Sequence, residues 1–343
     1  MVRPGIPPIM TGNVIRRAAV VGATAWGTTL AVHLARRGVP AVLVVRDAAE
    51  AAALNAARSN VLRLPGIRFP DALTVAPAPG ALAGADLVCF AVPSRTIAAN
   101  AARAAPSVAR DAIVLSATKG IDLESGRRMS ELLAEALPGR AVAALSGPNL
   151  SREIAAGMPA STVIASASAP LAPLRDAFHT DLLRVYTSED IVGVEFGGAL
   201  KNVIAIAAGM VDAFGYGDNA KAAIMTRGLA EMTRLGVAAG ADPLTFQGLA
   251  GVGDLIATAY GALSRNRRLG EMLANGHSLD DALATLGETA EGATTIPAAL
   301  RLARRLDVEL PITEGLNGIL YDGLSPAIAV QTLMTREPKH ERR

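Results

Sequence analysis

Lys201 stands inside a long, largely apolar stretch, residues 191–211, whose conspicuous polar interruptions are Glu195, Lys201 and Asn202. The spacing of its apolar residues predicts a single long helix. An ammonium withdrawn from water is costly unless it is paired, and burial lowers its pKa toward the range where it can exchange a proton. Ketone reduction asks for such a group, because hydride arriving at carbon leaves an alkoxide that must be protonated. The same residue type admits a second reading, in which the lysine lies at one edge of the helix and extends its amine to solvent.

Further along, Gly251-Val-Gly-Asp-Leu-Ile-Ala-Thr sets Asp254 and Thr258 four residues apart, on one face of a helix that begins after the glycines. Asp254 is suited to orienting a lysine, and Thr258 to bonding a substrate hydroxyl. An acid in a first helical turn also favours the helix dipole by itself. Ser264-Arg-Asn-Arg-Arg then opens another helix with three arginines in or near its first turn, where the positive end of the dipole disfavours cations. An anion resolves that conflict. A phosphate held by backbone amides, the Ser264 hydroxyl, the Arg265 fork and the Asn266 amide fits a helix N-terminus, with Arg267 and Arg268 left as surface charges. Lys119, in Ala117-Thr-Lys-Gly just past an apolar strand, stands where α/β folds place ligand-contacting loops. A solvated loop lysine is the alternative.

These side chains need a scaffold. From residue 17 to about 187, short β-branched runs alternate with alanine-rich helical stretches, the pattern of parallel βαβ units. Strands are expected at 18–21, 41–45, 87–91, 112–116, 142–146, 162–165 and 183–186, with a helix over 27–37 that Gly38 ends. From 188 to 336 apolar residues recur at helical spacing, and glycines and prolines punctuate long segments. The expected fold is α/β: a Rossmann-type parallel-sheet domain at 17–187, followed by an all-helical domain at 188–336. Residues 1–16, interrupted by Pro4, Pro7 and Pro8, and the polar run 337–343 are expected to be disordered tails.

The first strand-to-helix turn, Ala18-Ala-Val-Val-Gly-Ala-Thr-Ala-Trp-Gly, carries glycine at the strand exit (Gly22) and at the helix entry (Gly27), as a dinucleotide-binding loop requires. Its middle position is Thr24, where glycine normally lets the backbone approach a pyrophosphate. An ordinary strand-to-helix turn is the competing reading. At the end of the second strand an acid would bond ribose hydroxyls, whereas an arginine would accept a 2′-phosphate. Arg46, followed by Asp47, favours NADP(H) and tolerates NAD(H), or is a solvated strand-end charge.

Composition narrows the alternatives. The 343 residues, 51% hydrophobic, suffice for two cores. A net charge of +2 with interspersed signs and few aromatics gives no reason to expect a nucleic-acid partner. The single cysteine, Cys89, lies in an apolar run and reads as a small buried hydrophobe, so a reducing compartment and a cytoplasmic location are expected. The longest uncharged stretch, 154–174, contains Gly157, Pro159, Pro170 and Pro173 and reads as loop, strand and loop rather than a membrane insertion. The four histidines show no metal-ligand spacing with one another or with Cys89, so no metal is expected.

Taken together, the segments Ala117-Thr-Lys-Gly-Ile, Ser146-Gly-Pro, Gly197-Gly-Ala-Leu-Lys-Asn-Val-Ile-Ala, Gly217-Asp-Asn-Ala-Lys-Ala, Thr226-Arg-Gly-Leu-Ala-Glu-Met and Gly251-Val-Gly-Asp-Leu through Leu263-Ser-Arg-Asn-Arg-Arg resemble the bacterial-type NAD(P)-dependent glycerol-3-phosphate dehydrogenases. The resemblance covers nearly everything from residue 18 to about 336. It implies reversible reduction of dihydroxyacetone phosphate to sn-glycerol 3-phosphate, supplying phospholipid synthesis, and leaves room for a homodimer. It implies that Lys201 is the general acid/base at the carbinol oxygen, with Lys119 beside the substrate and cofactor and Asp254 close to Lys201. Gly147 lies at a contact position, where Asn149 keeps a polar contact and Thr258 is the hydroxyl partner already read from its spacing, and Ser264, Arg265 and Asn266 hold the phosphate end. On the cofactor side it implies Gly22, Ala25, Trp26, Gly27 and Arg46, together with Ser151, Arg265, Thr289 and Glu291; packing is a second role open to Trp26. Thr24 replaces a glycine of the family, and Asn149 stands where Ser or Thr is usual. A related hydroxyacid or ketoacid dehydrogenase would share the cofactor half, and the Ser264 to Arg268 cluster argues against it. A catalytically silent dinucleotide-binding protein is conceivable only through Thr24.

Overall fold

A computed structural model describes residues 14–287, 290–337 and 340. Eight strands form one sheet: β1 Ala18–Val21, β2 Ala41–Val45, β3 Leu73–Pro77, β4 Leu87–Phe90, β5 Ile113–Ser116, β6 Val142–Ser146, β7 Ala160–Ala165 and β8 Leu183–Ser188. Their order across the sheet is β3-β2-β1-β4-β5-β6-β7-β8, so the chain reverses its direction of travel between β1 and β4. Open α/β sheets form their ligand crevice at such a switch point, outside the carboxyl ends of the strands. The apolar runs of the central strands alternate between two covered faces. Ala18 and Val20 belong to one packed layer, Ala19 and Val21 to the other.

Six helices accompany the sheet: α1 Ala25–Arg36, α2 Ala48–Ala57, α3 Ile97–Ala104, α4 Met129–Ala136, α5 Ser151–Ala155 and α6 Leu171–Phe178. Eight follow it: α7 Ile191–Ala213, α8 Gly217–Ala238, α9 Asp254–Tyr260, α10 Arg265–Ala274, α11 Leu279–Leu286, α12 Glu291–Leu306, α13 Pro311–Tyr321 and α14 Pro326–Met334. The division into a sheet half and a helical half is therefore as expected.

Four details differ from the sequence reading. The sheet is mixed, because β7 runs antiparallel to β6. The strand β3 was not foreseen; it is the sheet edge, with an exposed Thr74 between buried Leu73 and Val75 and with Pro77 at its end, a place where proline breaks no interior ladder. The segment 154–174 holds parts of two helices as well as β7. At the N-terminal side, Ile15 is buried and the Arg16 and Arg17 amides donate to Asp86 Oδ2 at 2.7 and 3.0 Å, so ordered structure begins before residue 17. Of the expected C-terminal tail, only Glu337 and His340 lie within the described residues.

The helix α7 organises the second half. It is long and apolar enough to cross a bilayer, yet 89% of its most apolar window is buried inside this fold, as expected for a helix that is hydrophobic all round. It lies across α10 with backbones in contact: a Cβ at Gly209 would fall 2.0 Å from the Arg267 carbonyl oxygen, and one at Gly270 would fall 2.0 Å from that of Ile206. Two glycines thus set the distance between the helix that carries Lys201 and the helix that Ser264 opens. Alanine normally improves a helix interior by about 1 kcal/mol over glycine. Here the collision should win, and Gly270→Ala should lower the unfolding free energy in urea by roughly 1–3 kcal/mol. A neutral or stabilised variant would mean that the two helices do not touch.

Candidate active site

The motif Gly197-Gly198 explains how a lysine on α7 can face the sheet. A Cβ at Gly197 would meet the Ala250 carbonyl oxygen at 2.4 Å, and one at Gly198 would meet Ser146 Oγ at 2.3 Å. Stripped of side chains there, the helix rests against the exit of β6 and against the π-helical turn Leu249–Gly253 that leads into α9. Lys201 follows one turn later on the same side. It is 6% exposed, so the solvent-reaching reading is excluded.

The Lys201 ammonium donates to Asp254 Oδ1 at 2.8 Å and to Thr258 Oγ1 at 2.5 Å. The Thr258 hydroxyl donates its own proton to the Asp254 backbone oxygen at 2.7 Å, which leaves it an acceptor toward the lysine. From the loop after β5, Lys119 donates to the other carboxylate oxygen, Asp254 Oδ2, at 2.5 Å, and to the Gly147 carbonyl oxygen at 3.0 Å. One buried carboxylate, 1% exposed, is thereby shared by two ammonium groups from opposite halves of the fold. Each lysine has three N–H donors and uses two on these partners. Burial pulls the Lys201 pKa down to about 8; the neighbouring Asp254 opposes that fall and Lys119 adds to it.

Beside Lys119, Gly147 takes φ +134°, a conformation that favours glycine. Asn149 donates to Thr162 Oγ1 at 3.1 Å. Among the described residues, Ser146 Oγ and Asn149 Oδ1 are the buried side-chain polar atoms without a partner. Buried polar atoms are rarely left so, and two of them in one turn at the carboxyl end of β6 mark a place shaped for a polar ligand. The motif Ser146-Gly-Pro signals this turn, but the role of Ser146 itself was not foreseen.

The glycine-rich turn lies at the switch point. Gly22 has φ +110° and abuts the Ala91 carbonyl, and a Cβ at Gly27 would lie 2.0 Å from the Gly22 oxygen; both glycines are sterically required. Thr24 is engaged within the turn itself. Its φ of −68° suits any residue, and its hydroxyl caps α1, accepting from the Gly27 amide at 3.0 Å and donating to the Ala91 oxygen at 2.8 Å. Ala25 opens α1, while Trp26 is half-buried and packs on the sheet core. Ser151 opens α5, and its carbonyl receives the Thr29 hydroxyl of α1 at 3.1 Å. At the end of β2 the Arg46 side chain is 83% exposed, with a long contact of 3.4 Å to Glu50. Asp47 caps α2 by accepting from the Glu50 amide at 2.8 Å.

The start of α10 departs most from expectation. Ser264 caps it, accepting from the Arg267 amide at 3.3 Å. The Asn266 side chain is engaged on both sides, donating to Asn202 Oδ1 and accepting from the Gly292 amide, each at 2.9 Å. Arg267 is no surface charge: it pairs with Asp212 and with Glu271, each at 2.8 Å. Arg268 is exposed, as expected, and so is Arg265. Glu291, at the start of α12, lies within electrostatic reach of Arg265, Lys119 and Lys201 and accepts from the Ser94 amide; burial nonetheless pushes its pKa up. Thr289 lies outside the described residues. Among the described residues, no group of three or more His, Cys, Asp or Glu side chains is placed to hold a metal ion.

Comparison with known proteins agrees with this geometry along nearly the whole chain. The family described as NAD-dependent glycerol-3-phosphate dehydrogenase matches with its N-terminal part over residues 17–172 and with its C-terminal part over residues 190–331. A glycerol-3-phosphate dehydrogenase [NAD(P)+] of Parafrankia sp. is 48% identical over 334 residues, covering 96% of this chain and 100% of the relative. That of Streptomyces griseus is 46% identical over 331 residues, covering 95% and 98%. The crystal structure of glycerol-3-phosphate dehydrogenase from Coxiella burnetii superimposes with a TM-score of 0.90 at 34% identity, covering 94% of this chain and 99% of the other. The chain belongs to the NAD-dependent glycerol-3-phosphate dehydrogenase family.

Proposed function

We propose that this chain reduces dihydroxyacetone phosphate to sn-glycerol 3-phosphate, reversibly, in the cytoplasm and in the service of glycerophospholipid synthesis. The observation that carries the reading is the buried Asp254 carboxylate shared by Lys201 and Lys119. It presents two cations to an oxygen that becomes negative during the reaction. Residues 17–187 act as the dinucleotide-binding domain and 188–336 as the substrate-binding and catalytic domain. Homodimer assembly belongs to the same reading and is open to light scattering.

The residues at the switch point fit a dinucleotide: Gly22 and Gly27 keep the turn tight, and the amides opening α1 at Ala25 and Trp26 offer donors to a pyrophosphate. Arg46, exposed at the end of β2 and next to an Asp47 already engaged as a cap, favours a 2′-phosphate, hence NADP(H) over NAD(H). Ser151, Thr289 and Glu291 complete that side. When bound, the nicotinamide supplies or accepts the hydride. Lys201 gives its proton to the carbonyl oxygen of the ketone as charge develops there. Lys119 stabilises the same oxygen, and Asp254 and Thr258 hold Lys201 in line. Gly147 and Asn149 border the substrate, and Arg265, with Ser264 and Asn266 shaping the turn around it, binds the phosphate.

Three outcomes follow from these roles. Lys201→Ala should bind NADPH as the unaltered protein does by calorimetry while its kcat falls by roughly 10²–10⁴; normal turnover would remove the lysine from the mechanism. Because ketone reduction consumes the ammonium form, kcat in that direction should be highest below about pH 8 and fall above it, and kcat for alcohol oxidation should rise through the same range. Profiles flat between pH 7 and 9 in both directions would contradict a lysine with this pKa. Arg265→Ala should raise the KM for dihydroxyacetone phosphate about 10- to 100-fold, the loss expected for a charged hydrogen bond, and should raise the NADPH Kd far less. Equal effects on both would reassign Arg265 to the cofactor.

A further inference from the structure

Six residues before Lys201, α7 carries a second charged side chain, Glu195, which is also buried. Its Oε1 accepts from the Ser130 amide at 2.8 Å, and its Oε2 accepts from Arg128 Nη1 at 2.9 Å and from the Ser130 hydroxyl. The carboxylate thus sits at the N-terminus of α4, where an unsatisfied amide and the positive end of the dipole both favour it. The partners belong to the stretch that returns from Lys119. Ile121 and Arg128 form an antiparallel bridge, and the Asp122 amide donates to the Arg127 oxygen at 2.9 Å. The Ser125 amide and hydroxyl donate to Asp122 Oδ2 at 2.9 and 2.6 Å. Lys119 therefore stands two residues before a closed hairpin whose far end is gripped by α7. On its outer side the hairpin receives Arg301 and Arg305 of α12, which donate to the carbonyl oxygens of Glu124 and Ser125 at 3.3 and 2.7 Å.

The contacts close a ring: from Lys201 along α7 to Glu195, across to Arg128 and Ser130, through the bridge to Ile121, back to Lys119, and through Asp254 to Lys201. A buried ion pair is a poor source of stability, since apolar packing of the same volume does as well or better. What it supplies is a fixed geometry. We propose that Glu195 is a positioning residue: by holding Arg128 and Ser130 it keeps the hairpin behind Lys119 in register with the helix that bears Lys201, so that both amines reach one carboxylate. The proposal rests on the reading of these two lysines as the groups that face the substrate oxygen.

The test compares Glu195→Gln and Ser130→Ala with the unaltered full chain. Glu195→Gln leaves Arg128 without its buried counter-charge and is the variant at risk of misfolding. Ser130→Ala keeps the ion pair and the backbone bond, removes only the hydroxyl, and decides the matter alone if the first does not fold. Amide hydrogen exchange over residues 118–128 should quicken in both variants, while exchange in the turn after β1 and the NADPH Kd stay unchanged. In the folded fraction, kcat for ketone reduction should fall roughly 10- to 100-fold in Glu195→Gln, the penalty of a displaced catalytic group, and several-fold in Ser130→Ala. The fall in reduction rate near pH 8 should move to higher pH, because Lys201 loses the repulsion of a well-placed Lys119 and gains water. Unchanged exchange in the hairpin, or a loss of activity no greater than the loss of folded protein with the pH profile unmoved, overturns the proposal. A flat profile in the unaltered protein would instead sink the reading of Lys201 and leave hairpin exchange and the kcat of the variants to decide Glu195.

Discussion

Two ammonium groups cannot share a dry pocket unless something between them is negative, and in this protein that something is a single carboxylate. Asp254 offers one oxygen to Lys201 and the other to Lys119. Removing it would leave two like charges facing each other, that of Lys201 buried and that of Lys119 largely so. Its presence does not cancel them either, because two cations against one anion leave a surplus of positive charge. That surplus suits an alkoxide forming nearby. The lowered pKa of Lys201 follows from the same arrangement, since burial and Lys119 together outweigh the attraction of Asp254.

Much of the surrounding architecture exists to bring three distant segments to this point. Lys119 comes from the loop after β5, Lys201 from α7 and Asp254 from the start of α9, and close backbone approach fixes the last two. Gly197 and Gly198 let α7 lie against the turn before α9 and against the exit of β6. Gly251 turns so tightly that a Cβ there would fall 2.1 Å from the Phe246 oxygen, which aims Asp254 at the helix it must meet. Glycine is thus used here less for conformational freedom than for the absence of a side chain at contact points, and a methyl group at any of them would displace the chemistry along with the packing.

The sequence made the sheet and the site lysine legible for the same reason: both announce themselves by a departure from the local pattern. Apolar runs between alanine-rich helices gave seven of the strands, and a lysine in an apolar helix was conspicuous. The edge strand β3 escaped because it is short, with a single alternation at Leu73-Thr74-Val75 before it runs out in Ala-Pro. The reversed direction of β7 escaped because a buried run of β-branched residues looks identical whichever way it is threaded. Pairings across long separations were equally silent. The four-residue spacing placed Asp254 and Thr258 on one face, but it could not tell that Thr258 would face the lysine. Nothing near Arg267 advertised Asp212, 55 positions away. In the glycine-rich turn, the missing glycine at Thr24 was visible, but the capping of the helix start by its hydroxyl was not.

The internal pairing of Arg267 leaves less positive charge at the start of α10 for an anion to meet. Three arginines near the start of α10 looked like a conflict that only an external anion would settle. Arg267 is settled internally by Asp212 and Glu271, and Arg265 and Arg268 are both exposed. Arg265 is the one within electrostatic reach of Glu291, which also feels both site lysines. The local set is then three cations, Lys119, Lys201 and Arg265, against two carboxylates, Asp254 and Glu291. A phosphate monoester dianion entering this set turns a small positive surplus into a negative one. On the proposed reading, that change favours the protonated forms of the groups around it and so raises the affinity of Lys201 for its proton. Ketone reduction needs that proton in place before hydride arrives, and the charge of the substrate therefore helps to load the acid that will act on it.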